Sequence, residues 1–371
     1  MTPETRRRAA RPRRLRGLIL AGVAGLVIVL VAVAAAAFLS DISMRRLLGT
    51  EALAVTCDEG SADIRFPLGG RGNATWDAGP SLPRAQDEVR ALAVGDRILL
   101  GTGITPRRGV VGGFASLGLM YSYDPVSETY RRIAPLPVPL DHQAVAALGD
   151  EIYMISGWSD GIPSDHVFRL EDGKWAELPP IPTPRAGAAA AVVGRRIFVV
   201  GGTTARHDAS SLAGVSTVEA FDIDTNRWLR LPDMPTPRHH HAAVSLGSVI
   251  TVLGGRDGDL FSLATVEQFD TATGRWTERR PLPLASGALS AVVVGRTMVV
   301  AGGGDDGEGW VTPATWTMRG GEWRRLPDLR VPRHGHGMAA LDGVVFVFGG
   351  SPCAGYGATG TVERLVVRAR Q

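Results

Sequence analysis

The sequence predicts an all-β fold in which six similar four-stranded sheets stand in a ring. Three regularities predict it. A glycine doublet closes an apolar run at Gly201-Gly202, Gly254-Gly255, Gly302-Gly303 and Gly349-Gly350, with altered versions at Thr102-Gly103 and Ser156-Gly157. A turn residue (Gly95, Gly149, Gly194, Gly247, Gly295 or Asp342) stands eight positions before the second residue of every doublet. An aromatic residue (Tyr130, Trp175, Trp228, Trp276 or Trp323) follows later in five units, six residues after Asp124, Asp222 and Asp270 in three of them. A period of about fifty residues marks a repeat architecture.

Taken from the N-terminus, residues 1–16 form a basic tail with seven arginines and one acid, about +6 in charge. The 23 residues Gly17 to Leu39 carry no charge and are long enough to span a bilayer. The arginine cluster before this stretch, against Arg45 and Arg46 after it, predicts an N-terminus in the cytoplasm and the remainder outside. Cleavage near Ala32-Val33-Ala34, releasing a secreted protein, is the alternative. Residues 40–72 read as a stalk and lead-in.

Within one unit, a Pro-rich segment such as Pro235-Thr236-Pro237-Arg238 leads into a short apolar strand, Ala242 to Leu246, and a turn. A second strand, Val249 to Leu253, ends in the doublet. After a variable loop, a third strand ends at Asp270, and a fourth carries Trp276. Runs of four to seven residues rich in Val, Ile and Phe, bounded by Gly, Pro and Asp, are strand-and-turn chemistry. The sixth unit lacks its tryptophan. The missing piece stands before unit one, at Asn73-Ala74-Thr75-Trp76, so residues 73–371 are expected to form one domain whose N-terminal strand closes the last sheet.

This pattern of Gly-Gly, then Asp, then Trp resembles kelch repeats over residues 73 to 367. The resemblance implies a six-bladed kelch-type β-propeller, here with an N-terminal transmembrane helix as signal anchor. It points to a module that binds a protein or glycan without catalysis. Periplasmic kelch-type sialic acid mutarotases share the six blades and a polar funnel, so a sugar mutarotase is the alternative.

The overall charge of +3 resides in the tail, leaving about −3 on the rest, with no basic field for nucleic acid. Counting back from the turn residues gathers Glu88, His142, Arg185, Arg238, His240 and Arg333 at one mouth of the central channel, beside the loops that follow the doublets. These six form the expected ligand face. Adjacent side chains alternate along a strand, so His239, His240 and His241 are not expected to share a metal ion. No metal or cofactor is expected. Cys57 and Cys353 are the only cysteines, and export would favour a disulfide between them.

Overall fold

The computed structural model describes residues 75–106, 114–209, 211–258 and 261–367. Six four-stranded antiparallel sheets account for most of them. In blade three the strands Ala189–Val193, Arg196–Val200, Val218–Asp222 and Arg227–Arg230 pair in sequence order from the axis outward. The innermost strands are Arg90–Val94, Ala144–Leu148, Ala189–Val193, Ala242–Leu246, Ser290–Val294 and Gly337–Leu341. Each packs against the next, and Gly337–Leu341 against Arg90–Val94 closes the ring. Small residues suit these strands because they crowd about one axis.

The core is divided among the blade interfaces. Blades three and four enclose Phe198, Val200, Ala220, Ile250, Val252 and Phe269. Each of the other five interfaces holds its own cluster. A four-stranded sheet is apolar on both faces here, so no blade can bury its surface alone.

The doublets meet a steric demand. At Gly202 φ is +104°, and a Cβ would sit 2.9 Å from the carbonyl oxygen of Ala186. Its N–H donates to the carbonyl of Arg238 in the next blade at 2.9 Å. Gly157, Gly255, Gly303 and Gly350 make the equivalent bond. Ser156 replaces the first glycine of blade two in a left-handed conformation. Its hydroxyl accepts from the Arg185 N–H at 2.9 Å, a local compensation for the strain.

The terminal aromatics do more than pack. The indole N–H of Trp228 donates to Pro179 at 3.0 Å, that of Trp276 to Pro232 at 3.1 Å, and that of Trp175 to Ala134 at 3.1 Å. Each acceptor is a carbonyl just beyond the outer strand of the preceding blade. Tyr130 keeps the scheme with its hydroxyl, which donates to Pro80 at 2.7 Å. In blade six the outer strand is Asp77–Gly79, paired antiparallel with Val362–Val366. Trp76 lies one residue before that strand, buried among Val299, Leu329 and Val345, with its N–H on Pro327 at 2.9 Å. The aromatic missing from the end of the chain is thus supplied from its beginning.

The chain divides between Leu53 and Ala54, and the unit Ala54–Gln371 holds the six blades. Gly17 to Leu39, expected to span a membrane, and Cys57, expected to pair with Cys353, lie outside the described residues. Among the described residues no helix is long and apolar enough to cross a membrane.

Trp76→Ala is expected to destabilise the propeller by about 3–5 kcal/mol, the range for emptying a large buried aromatic site. Urea denaturation followed by far-UV circular dichroism measures it. A loss below about 1 kcal/mol, as at a surface position, would show that the N-terminal segment does not hold the ring.

Candidate functional site

The channel mouth is built by one repeated backbone arrangement. The residue eight before each turn pairs with the residue after the doublet, as Asp87 with Ile104, Asp141 with Trp158 and His239 with Arg256. The loops after the doublets therefore surround the mouth. One position later stand Glu88, His142, Gly187, His240, Ala288 and Gly335, and all six have φ between +51° and +63°. The N–H of Gly187 donates to the carbonyl of His142, that of His240 to Gly187, Ala288 to His240 and Gly335 to Ala288. A ring of backbone thus narrows the channel.

Three large side chains rise from this ring. The imidazole of His142 lies 3.7 Å from the Glu88 carboxylate, through Nε2, and its Nδ1 bonds the Asp141 carboxylate at 2.6 Å. The rings of His142 and His240 are 4.9 Å apart, edge to face. His239 Nδ1 contacts His240 Nδ1, so the neighbours expected on opposite faces do meet. They precede the strand, and the left-handed backbone at His240 breaks the alternation.

The electrostatics are sharply divided. Burial alone would raise the pKa of Glu88, yet His142, Arg90, His334 and Arg256 outweigh it and hold the carboxyl at about 2. Asp87 is pushed well above the usual carboxyl range by burial and by Glu88. Burial, then His239 and His142, keeps His240 neutral far below the usual imidazole range. Burial and His142 lower His207 to about 4.

Arg185, Arg238 and Arg333 correct the expected ligand face. Each is 0% exposed. Arg238 donates to the Glu267 carboxylate at 2.6 Å and to the carbonyls of Gly254 and Thr265 at 3.0 and 2.9 Å. Arg185 pairs with Glu219 and reaches the Gly201 carbonyl, while Arg333 pairs with Glu363 and reaches the Gly349 carbonyl. Their planar forks hold the first glycine of the doublet to the third strand. Of the six expected residues, Glu88, His142 and His240 converge, and the three arginines belong to the scaffold.

The partners Glu219, Glu267 and Glu363 left a trace in the repeats. Blades three, four and six have both the arginine and a Val-Glu pair opening the third strand, whereas the other three blades have neither. Arg90 was also detectable. Its equivalents are Ala144, Ala189, Ala242, Ser290 and Gly337, so it is the one charge in a position otherwise small or short. Both ends of its guanidinium lie 3.3 Å from Glu88, and its Nε donates to Gln143 at 3.0 Å.

The loops close over this centre. Phe114 stacks on Tyr356 at 4.9 Å and meets His207 at 4.7 Å. The Tyr356 hydroxyl bonds His207 at 3.0 Å, and Trp158 sits edge-on between His142 and His207. Arg256 pairs with Asp306 at 2.7 Å. On the other side of the ring, the inner strands line a half-open cavity of about 130 Å³ bounded by Glu88, Arg90 and His240.

Six blades, doublet-to-blade hydrogen bonds and aromatic latches define a kelch-type propeller. The chain belongs to the kelch-repeat family: the KLHDC2/KLHL20/DRC7 Kelch-repeats domain matches residues 141–350. Its relatives include the Kelch-like protein terF of Aspergillus terreus, 30% identical over 189 residues, which are 48% of this chain and 40% of that protein. Kelch-like protein 38 of Homo sapiens is 28% identical over 40% of this chain and 24% of its own length. Beta-scruin of Limulus polyphemus is 26% identical over 36% of this chain and 15% of its own. The chain spans less than half the length of these relatives.

Arg238→Ala is expected to cost about 3–5 kcal/mol because it strands Glu267 in a dry interface. The pair Arg238→Met with Glu267→Leu should recover most of that loss. Chemical denaturation of the two variants checks it. Equal stability of Arg238→Ala and the parent chain would release the arginine from its structural role.

Proposed function

We propose that this chain is a membrane-tethered recognition module that binds a protein or glycan on the loop face around the channel mouth. The observation that carries this reading is the closure of the mouth. Phe114, His207 and Tyr356 cover the centre, and the cavity beyond the ring, about 130 Å³, falls below the ~300–1,000 Å³ of usual small-molecule pockets. The loops, held by a rigid scaffold, offer a partner the surface around the mouth. Two large apolar side chains stand out on them: Ile162 is 51% exposed and Phe261 77%. Both lie in two-stranded hairpins that follow a doublet. Apolar anchors of this kind carry much of the energy at protein interfaces.

A second reading, an enzyme of the sugar-mutarotase type, is favoured by the convergence of Glu88, His142 and His240 with Arg90. Glu88 would act as base and a histidine as acid. The mouth would have to open first, which ranks this reading second.

The tether is part of the proposal. Gly17 to Leu39 supplies a span of sufficient length, and the seven arginines before it favour a cytoplasmic N-terminus. A Cys57–Cys353 bridge would tie the lead-in to the last blade. Cys353 carries no free thiol, which supports it.

The purified chain presented to a glycan array and to cell-envelope proteins should capture one class of ligand. Ile162→Ser with Phe261→Ser should weaken that capture at least about tenfold, as removal of interface anchors does, and leave the thermal midpoint unchanged. Capture insensitive to these two residues and to every loop after a doublet would reject the loop face.

For the topology, protease added outside intact wall-free cells should digest the propeller and spare a tag on residues 1–16. Full protection of the propeller would reject export, whereas a mature N-terminus near residue 35 would keep export and reject the anchor.

A further inference from the structure

We propose that Glu88, His142 and His240 form a binding site for a divalent transition-metal ion of the zinc class at the channel mouth. One donor atom from each lies within 4.8 Å of those of the other two. Two imidazoles and one carboxylate are the donor set that borderline cations prefer.

Backbone geometry argues that the site is built. Glu88, His142 and His240 hold φ at +53°, +52° and +52°. A left-handed backbone costs roughly 1–2 kcal/mol per non-glycine residue. The same ring position is glycine in blades three and six and an equally left-handed alanine, Ala288, in blade five, so the fold does not require polar side chains there. The two glycines also make room. A Cβ on Gly187 would lie 3.0 Å from the His240 ring, and one on Gly335 would lie 2.7 Å from the Glu88 carboxylate.

Hydrogen bonding then sets the rings. His142 Nδ1 donates to Asp141, which leaves the lone pair on Nε2, the nitrogen beside Glu88. A carboxylate behind a histidine is the usual outer support of a metal ligand. His239 Nε2 donates to the Gly258 carbonyl at 2.9 Å. With neutral rings its Nδ1 must then accept from His240 Nδ1, leaving the second lone pair on His240 Nε2. Two lone pairs and an anionic carboxylate therefore gather where a cation satisfies all three.

The donors stand wider than the edge of a zinc tetrahedron, about 3.3 Å for bonds of ~2.0–2.1 Å. Binding must draw them together by rotation of the side chains.

The test uses the full, tag-free chain stripped with chelator. After equilibrium dialysis against zinc chloride it should retain one zinc per chain and gain thermal stability. The variant His142→Gly with His240→Gly carries the residue that other blades use at this position, so its metal-free thermal midpoint should be unchanged or higher. Its zinc affinity should fall by more than about a hundredfold, beyond the loss seen when only an outer-shell partner is removed. Glu88→Gln, which keeps the shape, should also weaken binding, whereas His166→Ala, at a half-buried histidine remote from the mouth, should not. No zinc retained by the parent chain, or equal retention by the double variant, overturns the proposal. Since none of these residues carries the loop-face binding proposed above, capture of the ligand by Glu88→Gln separates failure of one idea from failure of the other.

Discussion

The approach of each glycine doublet to the next blade is the constraint on which the ring depends. At Gly254 a Cβ would lie 2.6 Å from the carbonyl oxygen of Ser286 in the following blade, and the N–H of Gly255 donates to that same carbonyl. Backbone touching backbone sets a short, repeatable step between blades. Once the step is fixed, the inner strands must be small and the apolar residues must fill wedges that widen outward. The indole latches then secure the wide end of each wedge. The buried Arg–Glu pairs secure the doublets themselves in blades three, four and six.

This division of labour separates scaffold from site over a very short distance in the chain. Arg238 and His240 are two residues apart, yet one lies within its blade and the other at the channel mouth. The left-handed backbone at His240 and its equivalents produces the separation. It turns the chain inward between the blade and the inner strand. The mouth is thereby lined by side chains that contribute little to blade packing and are free to differ from blade to blade.

The fold was legible because it rests on spacing. The turn-to-doublet offset repeats six times and the full glycine pair four times, and Trp76 could be matched to the missing sixth aromatic. The site was half legible. Counting back from the turns located Glu88, His142 and His240, since they occupy one ring position. It misplaced Arg185, Arg238 and Arg333, because position along the chain does not say which way a side chain leaves a bent backbone. The Val-Glu partners on the third strands would have settled this. The cover formed by Phe114, His207 and Tyr356 was not legible at all. It joins three loops of unlike length and sequence, and no repeat relates them.

The closing strand has a temporal side. Asp77 pairs with Arg364, 287 residues later. At a synthesis rate of roughly 5–20 residues per second, this strand waits about 15–60 s for its partner. During that interval the nascent chain carries an unsatisfied β-edge next to an uncovered indole, a combination open to pairing with the wrong chain. The strand is only three residues long, Asp77–Gly79, and begins with a charge. A short, charged segment makes a poor template for a stranger, and it needs little length to bind once five blades have already positioned its berth.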